Sequence, residues 1–282
     1  AGICELELRN FDESIEYLEK ALELVPEGNL KAEIEEVLSK AKEASASNSD
    51  STQDEDQHFI ISFAGNSKED LGDMAFDSLN DIYDDVTTLL DCDPEVKVNV
   101  NFFLTDEYYN QNKDWSAAST RGLKIDVPLK SGYKSEEYVK GLLAHEFTHA
   151  IINLKTNNRA PLWVHEGLAQ YEEFRTQYGS EETLRSDYVS VYEEDFKEKD
   201  FFIPLDRIPN YMGSNNNRDV NRAYVASWIA IRCMTDLYGE SSVATLLNSM
   251  SKGNDIHQAV YEVTGGSYKD FEDEIKLWIK NQ

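Results

Sequence analysis

The sequence predicts an α+β fold in which a strand-rich N-terminal half precedes a helical C-terminal half, the whole carried behind a short all-helical segment. Three observations lead there. Apolar residues recur at helical spacing over residues 1–44 and again from Ser135 onward. Between these stretches, three short runs alternate apolar with polar residues or are rich in β-branched and aromatic side chains. Residues 45–57 hold no large apolar side chain, so they read as a flexible acidic linker between a segment 1–44 and a domain 58–282.

In the first segment, Ile15, Leu18, Leu22 and Val25 share one helix face, and Asn29 is expected to cap a further helix carrying Leu30, Ile34, Val37, Leu38 and Ala41. Gly2, Phe11, Ser14, Ala21 and Pro26 give this stretch a resemblance to a tetratricopeptide repeat, although Leu18 stands where an aromatic is more usual and the start of the repeat is missing. One repeat cannot bury a solenoid core. The resemblance therefore implies preceding repeats and a protein partner. The chain opens with Ala inside a helical pattern, which reads as a fragment or a processed product.

The domain's elements follow in order. A strand is expected over 58–64, a helix over 71–90 with Met74, Leu79, Ile82, Val86 and Leu89 on its apolar face, and strands over 96–104 and 122–129. Pro128 suits a strand end or an edge. A long helix runs over 135–154, and further helices are expected over 162–178, 181–198, 219–238, 241–250, 254–262 and 268–280.

Composition narrows the function. Acidic residues number 54 against 27 basic ones, a net charge of -27. Binding phosphates requires clustered Lys and Arg, so nucleic acid and anionic membranes are poor partners. The three cysteines, Cys4, Cys92 and Cys233, are too few and too scattered for a disulfide framework and form no CxxC. The longest apolar stretches fall short of the ~18–20 residues that span a bilayer.

The chemistry sits in the 135–154 helix, at His145-Glu146-Phe147-Thr148-His149. Histidines four apart lie one helical turn above each other, so both imidazoles reach one Zn2+, and Glu146 can touch a metal-bound water. A catalytic zinc takes three protein ligands. Glu166, 17 positions after His149 and behind the turn-rich 155–160 and Pro161, is the expected third. Gly167 permits close helix approach. His165 is the competing ligand, but it should face about 100° away from Glu166. Glu172 and Glu173 are candidates to orient a ligand histidine.

HExxH followed by Trp163-x-x-Glu166-Gly167-x-Ala169-x-Tyr171 resembles the gluzincin zinc peptidases, most closely the bacterial peptidase MA-like domains. The resemblance covers roughly 58–282, and includes Ala223-Tyr224-Val225-Ala226-Ser227 and a terminal helix. It implies a zincin-like domain with a mixed sheet, an edge strand and an active-site helix. It implies one Zn2+ per chain held by His145, His149 and Glu166. Peptide bonds of a peptide or protein substrate would be hydrolysed by a metal-activated water, with Glu146 as general base and Tyr224 as oxyanion donor. Tyr211, in a polar loop over 209–217 read as a mobile lid, is a rival donor.

The substrate backbone would add to the 122–129 strand, which carries Lys124, and 115–119 would line the cleft. The exopeptidase G-x-M-E-N-like loop is absent, which favours endopeptidase activity. The family resemblance favours a bacterial cell-envelope or secreted location, but no segment of the chain fixes the compartment. The alternative is a catalytically weak or inactive zincin domain used as a scaffold, with the repeat-like segment recruiting partners.

Overall fold

The computed structural model describes residues 11–26, 28–48, 52–63, 69–104, 118–129, 135–180 and 184–282. Two helices, α1 (Phe11–Leu24) and α2 (Asn29–Asn48), come first. They bury Leu18, Leu38 and Ala41 between them, with Ile15, Leu22, Ile34 and Val37 at the margin. Leu30 stays 58% exposed, so it drops out of the predicted apolar face. Asn29 is the first helical residue rather than the cap. The carbonyl of Gly28 accepts from the amides of Lys31 and Ala32 instead.

The segment expected to be a linker is ordered over most of its described length. Helix α2 continues to Asn48, and β1 (Thr52–Glu55) pairs antiparallel with β2 (Phe59–Phe63). Asp56 closes the turn between them, its carboxylate accepting from the amides of His58 and Phe59 at 2.8 Å each. The absence of apolar side chains here has a different cause from flexibility. An edge strand needs only backbone pairing, and charged side chains protect its open side.

Helix α3 (Glu69–Leu90) leads to β3 (Val98–Leu104), then β4 (Ser119–Arg121) and β5 (Lys124–Leu129). The mixed sheet has the order β1-β2-β3-β5-β4, with β2, β3 and β5 parallel. Register puts Phe59 beside Val98, Ile61 beside Val100 and Phe63 beside Phe102, then Val100 beside Ile125 and Phe102 beside Val127. All of these are buried, so period-two alternation in each strand builds one apolar face. The expected edge strand is not β5. β4, which the sequence reading did not resolve, turns back and pairs antiparallel with Lys124–Asp126.

Helix α4 (Glu136–Thr156) lies on this sheet, with Phe147 packed edge-on to Phe59 at 5.5 Å between ring centroids and stacked with Tyr83 at 5.7 Å. Ser135 caps it by accepting from the Tyr138 amide, and Asn157 ends it in the left-handed conformation. Lys155 Nζ donates to the carbonyls of Leu90 and Asp91, tying the ends of α3 and α4 together.

The helical half then follows: α5 (Leu162–Tyr178), α6 (Ser186–Val191) continued by a π-helical turn (Tyr192–Glu198), α7 (Ile208–Met212), α8 (Asn217–Tyr238), α9 (Ser241–Ser251), α10 (Ile256–Thr264) and α11 (Tyr268–Asn281). One continuous apolar core joins sheet and helices. No described helix is long and apolar enough to cross a membrane.

Candidate metal centre

Helix periodicity stacks His145 and His149 on one side of α4, and the turn at 157–160 brings α5 back so that Glu166 faces them. The two Nε2 atoms lie 3.2 Å apart, and each is 3.7 Å from Glu166 Oε2. Three ligands held at 2.0–2.1 Å around a tetrahedral zinc would be about 3.3–3.4 Å from one another, so the triangle fits such an ion with small adjustments. Glu166 Oε2 is buried and has no hydrogen-bond partner. A carboxylate oxygen left in that state costs several kcal/mol unless a cation meets it. These three residues form the one His/Cys/Asp/Glu group among the described residues that could hold a metal ion.

Each histidine is held from behind. His145 Nδ1 lies 2.9 Å from Glu173 Oε2. A carboxylate only accepts, so Nδ1 donates to Glu173, which leaves Nε2 as the nitrogen that a metal ion would meet. Burial works against a charge on His145, but the hydrogen bond and charge of Glu173, with the charges of Glu146 and Glu166, raise its pKa to about 9. His149 Nδ1 instead faces His165 Nδ1 at 3.4 Å. Burial, together with the charge on His145 and the nearness of His165, keeps His149 well below the ordinary histidine range. His165 therefore lies behind His149 and not in the ligand triangle. Burial raises Glu166 to about 7, against the pull of His145.

Glu146 is also buried, which raises its pKa against the opposing effects of His145 and Thr120. The Thr120 hydroxyl donates to Glu146 Oε2 at 2.6 Å, so β4 positions the carboxylate. Sequence offered no signal for Thr120, because a three-residue strand has no legible period.

A cavity of about 660 Å3 opens beside the centre. His145, Glu146 and Glu173 line it from α4 and α5, Ala118 from β4's approach, Tyr188 from α6, and Asn217, Asn221 and Tyr224 from α8. Four predicted positions therefore line this space, His145, Glu146, Glu173 and Tyr224, while His149 and Glu166 meet His145 in the triangle beside it. Tyr224 stacks on Tyr188 with ring centroids 6.0 Å apart and planes inclined 16°. Burial pushes its phenol well above the ordinary tyrosine range, and Glu166 and Glu146 add to the effect.

Two predicted positions, Tyr211 and Lys124, join neither the cavity lining nor the triangle. Tyr211 sits in helix α7 and packs against Phe201 at 6.2 Å, because Pro209 starts a helix where a polar loop was expected. Its neighbours Met212, Gly213, Ser214 and Asn215 line the space instead. Lys124 opens β5 between β3 and β4 and is not among the lining residues. Of the stretch 115–119, Ala118 lines the cavity, Ser119 opens β4, and 115–117 lie outside the described residues.

Residues 129–281, more than half of the chain, match the family described as the Peptidase MA superfamily. The chain belongs to that superfamily. The matched region runs from the end of β5 through α11, so it contains all three members of the ligand triangle, Glu146 and Tyr224. No curated protein matches the chain. Within the peptidase MA domain, Gly167 serves a contact that the sequence did not specify. A Cβ there would stand 2.4 Å from the Ser227 carbonyl oxygen and 2.7 Å from Ile231 Cγ1, so the glycine admits α8 against α5. The approach of α4 to α5 is made at Gly141, where a Cβ would be 3.0 Å from Gln177 Cβ.

Proposed function

We propose that the chain is a zinc-dependent peptidase of the gluzincin type that cleaves within peptide chains. The observation that carries this reading is the ligand triangle: two imidazole nitrogens and an otherwise partnerless buried carboxylate oxygen at metal-binding separations, beside a cavity that also exposes Glu146. His145, His149 and Glu166 would hold one Zn2+. That ion, when bound, supplies Lewis acidity that polarises a carbonyl and lowers the pKa of water.

The remaining work falls to the chain's own groups. Glu146 Oε2, oriented by the Thr120 hydroxyl, takes a proton from the attacking water and delivers it to the leaving amine nitrogen. Burial raises its pKa, which makes it a stronger base than an exposed carboxylate. Glu173 holds the His145 ring in one tautomer. Tyr224, kept protonated at neutral pH, donates to the oxygen on which negative charge develops. Endopeptidase action is supported by the absence of a G-x-M-E-N-like loop that would hold a free amino terminus. Recruitment of a protein partner by α1 and α2 is supported by their repeat-like residue pattern alone.

Cleavage of a protein mixture by the zinc-loaded chain and by Glu146→Gln tests the reading. Cleavage by the parent chain and loss of at least about a hundredfold in the variant is expected. Equal activity in both would overturn the assigned mechanism, and full zinc retention by His149→Ala would overturn the ligand set.

A further inference from the structure

One buried side chain ties together the two helices that carry the site. Gln170 lies on α5, one turn after Glu166, and is 1% exposed. Its Nε2 donates to the Glu166 carbonyl at 3.1 Å and to the Tyr224 carbonyl on α8 at 3.0 Å. Carbonyls only accept, so the side-chain amide must face them with its nitrogen. Its Oε1 is then turned away, buried and without a hydrogen-bond partner.

Stability alone does not call for an amide here. A carbonyl inside a helix already accepts from the backbone amide four residues on, so neither carbonyl needs Gln170 to be satisfied. A buried amide oxygen left unpaired is costly, and an apolar side chain of the same length would fill the space without that cost. What the amide adds is direction. Gly167 admits α8 at Ser227, but van der Waals contact fixes only how near the two helices lie. A hydrogen bond also fixes how far one slides along the other, because it weakens steeply once bent or stretched. Gln170 and Tyr224 lie one turn away from Gly167 and Ser227, in opposite chain directions, so the two contacts together set spacing and register.

The two residues joined in this way both belong to the site. Glu166 is a corner of the ligand triangle, and Tyr224 lines the cavity. Gln170 itself is not among the lining residues. We propose that Gln170 is a positioning residue that sets α8 against α5 so that the Tyr224 hydroxyl meets the oxygen that gains negative charge. This rests on the peptidase reading of the same site. Misplacement of a reacting group by about 1 Å costs about a hundredfold in rate.

Gln170→Met keeps the length of the side chain and removes the donor. Steady-state kinetics of the zinc-loaded chain on a cleaved peptide should show kcat lowered about tenfold to a hundredfold, with KM changed about twofold or less. Added to Tyr224→Phe, the same substitution should cost about twofold or less, because the hydroxyl it places is already gone. A phosphinic analogue of that peptide, tetrahedral and anionic at the cleaved position, gives a readout without turnover. Its affinity, measured by calorimetry, should fall by about the same factor as kcat. The melting curve and the zinc affinity should stay those of the parent. Gln170→Glu sets a carboxylate oxygen against carbonyl oxygens and should lose more kcat than Gln170→Met.

Unchanged kcat and analogue affinity in Gln170→Met overturn the proposal and leave the peptidase reading standing. An equal loss with and without Tyr224→Phe also overturns it, since the amide would then act through some other group. A Gln170→Met chain that fails to fold, or melts well below the parent, assigns the amide to stability and overturns it too. A zinc-loaded parent chain that cleaves no peptide removes the peptidase reading and this inference with it.

Discussion

Gly167→Ala sets two opposed effects of known size against each other. In an exposed helix interior, alanine is more favourable than glycine by about 1 kcal/mol. Here the new Cβ would lie 2.4 Å from the Ser227 carbonyl oxygen, whereas ordinary contact begins at 3.4 Å, so α5 and α8 must separate by about 1 Å. The obstacle is backbone and cannot rotate away, and Ile231 Cγ1 at 2.7 Å blocks a sideways escape. Overpacking of this kind costs about 1–3 kcal/mol, and the largest values belong to sites that cannot relax. The clash should therefore outweigh propensity, for a net loss of about 1–2 kcal/mol.

Glu166 immediately precedes the glycine and sits 3.7 Å from both histidines, so the same displacement should pull its carboxylate off the triangle. Thermal melts of the metal-free variant measure the first effect, and zinc titration against a competing chelator measures the second. Gly141→Ala is the comparison, because its Cβ would meet Gln177 Cβ at 3.0 Å and the Glu173 carbonyl oxygen at 3.2 Å, so the helices there need give only a few tenths of an ångström. A Gly167→Ala protein as stable as the parent, with unchanged zinc affinity, would refute the reasoning.

Glu173→Ala should weaken zinc binding about tenfold to a hundredfold without removing a ligand, measured by the same competition assay. Tyr224→Phe should lower kcat about a hundredfold or more with a small change in KM, seen in steady-state kinetics on a cleaved peptide. Burial raises Glu172 to about 7 against the pull of Arg175. A carboxyl raised in the folded state contributes stability below its unfolded pKa, and that contribution is lost as pH rises through the folded value. Glu172→Gln should therefore gain stability relative to the parent between pH 5 and pH 8, which paired denaturant titrations at the two pH values will show.

What could be read in the sequence was whatever repeats or matches at short range. Period-two runs gave β2 and β3, and helical periods gave α3, α4 and α5 closely, because each pattern reports a face that must be buried. The i, i+4 histidines and the carboxylate behind the turn were legible for the same reason: one helix and one return fix their directions. Sequence misread β1, since an edge strand needs no apolar signal, and it missed β4, which is too short to carry one.

Only the tertiary structure decided what backs the centre. Thr120 reaches Glu146 across 26 residues, Glu173 reaches His145 across 28, and Arg185 and Tyr188 enter the cavity from a segment with no motif. The tertiary structure also moved Tyr211 out of the site by folding its segment into α7. Sequence thus determined which residues could hold a metal ion, because metal ligation demands particular atoms at fixed local spacing. The positioning groups and the cavity wall were settled by packing between distant elements, where no local spacing constrains which residue arrives.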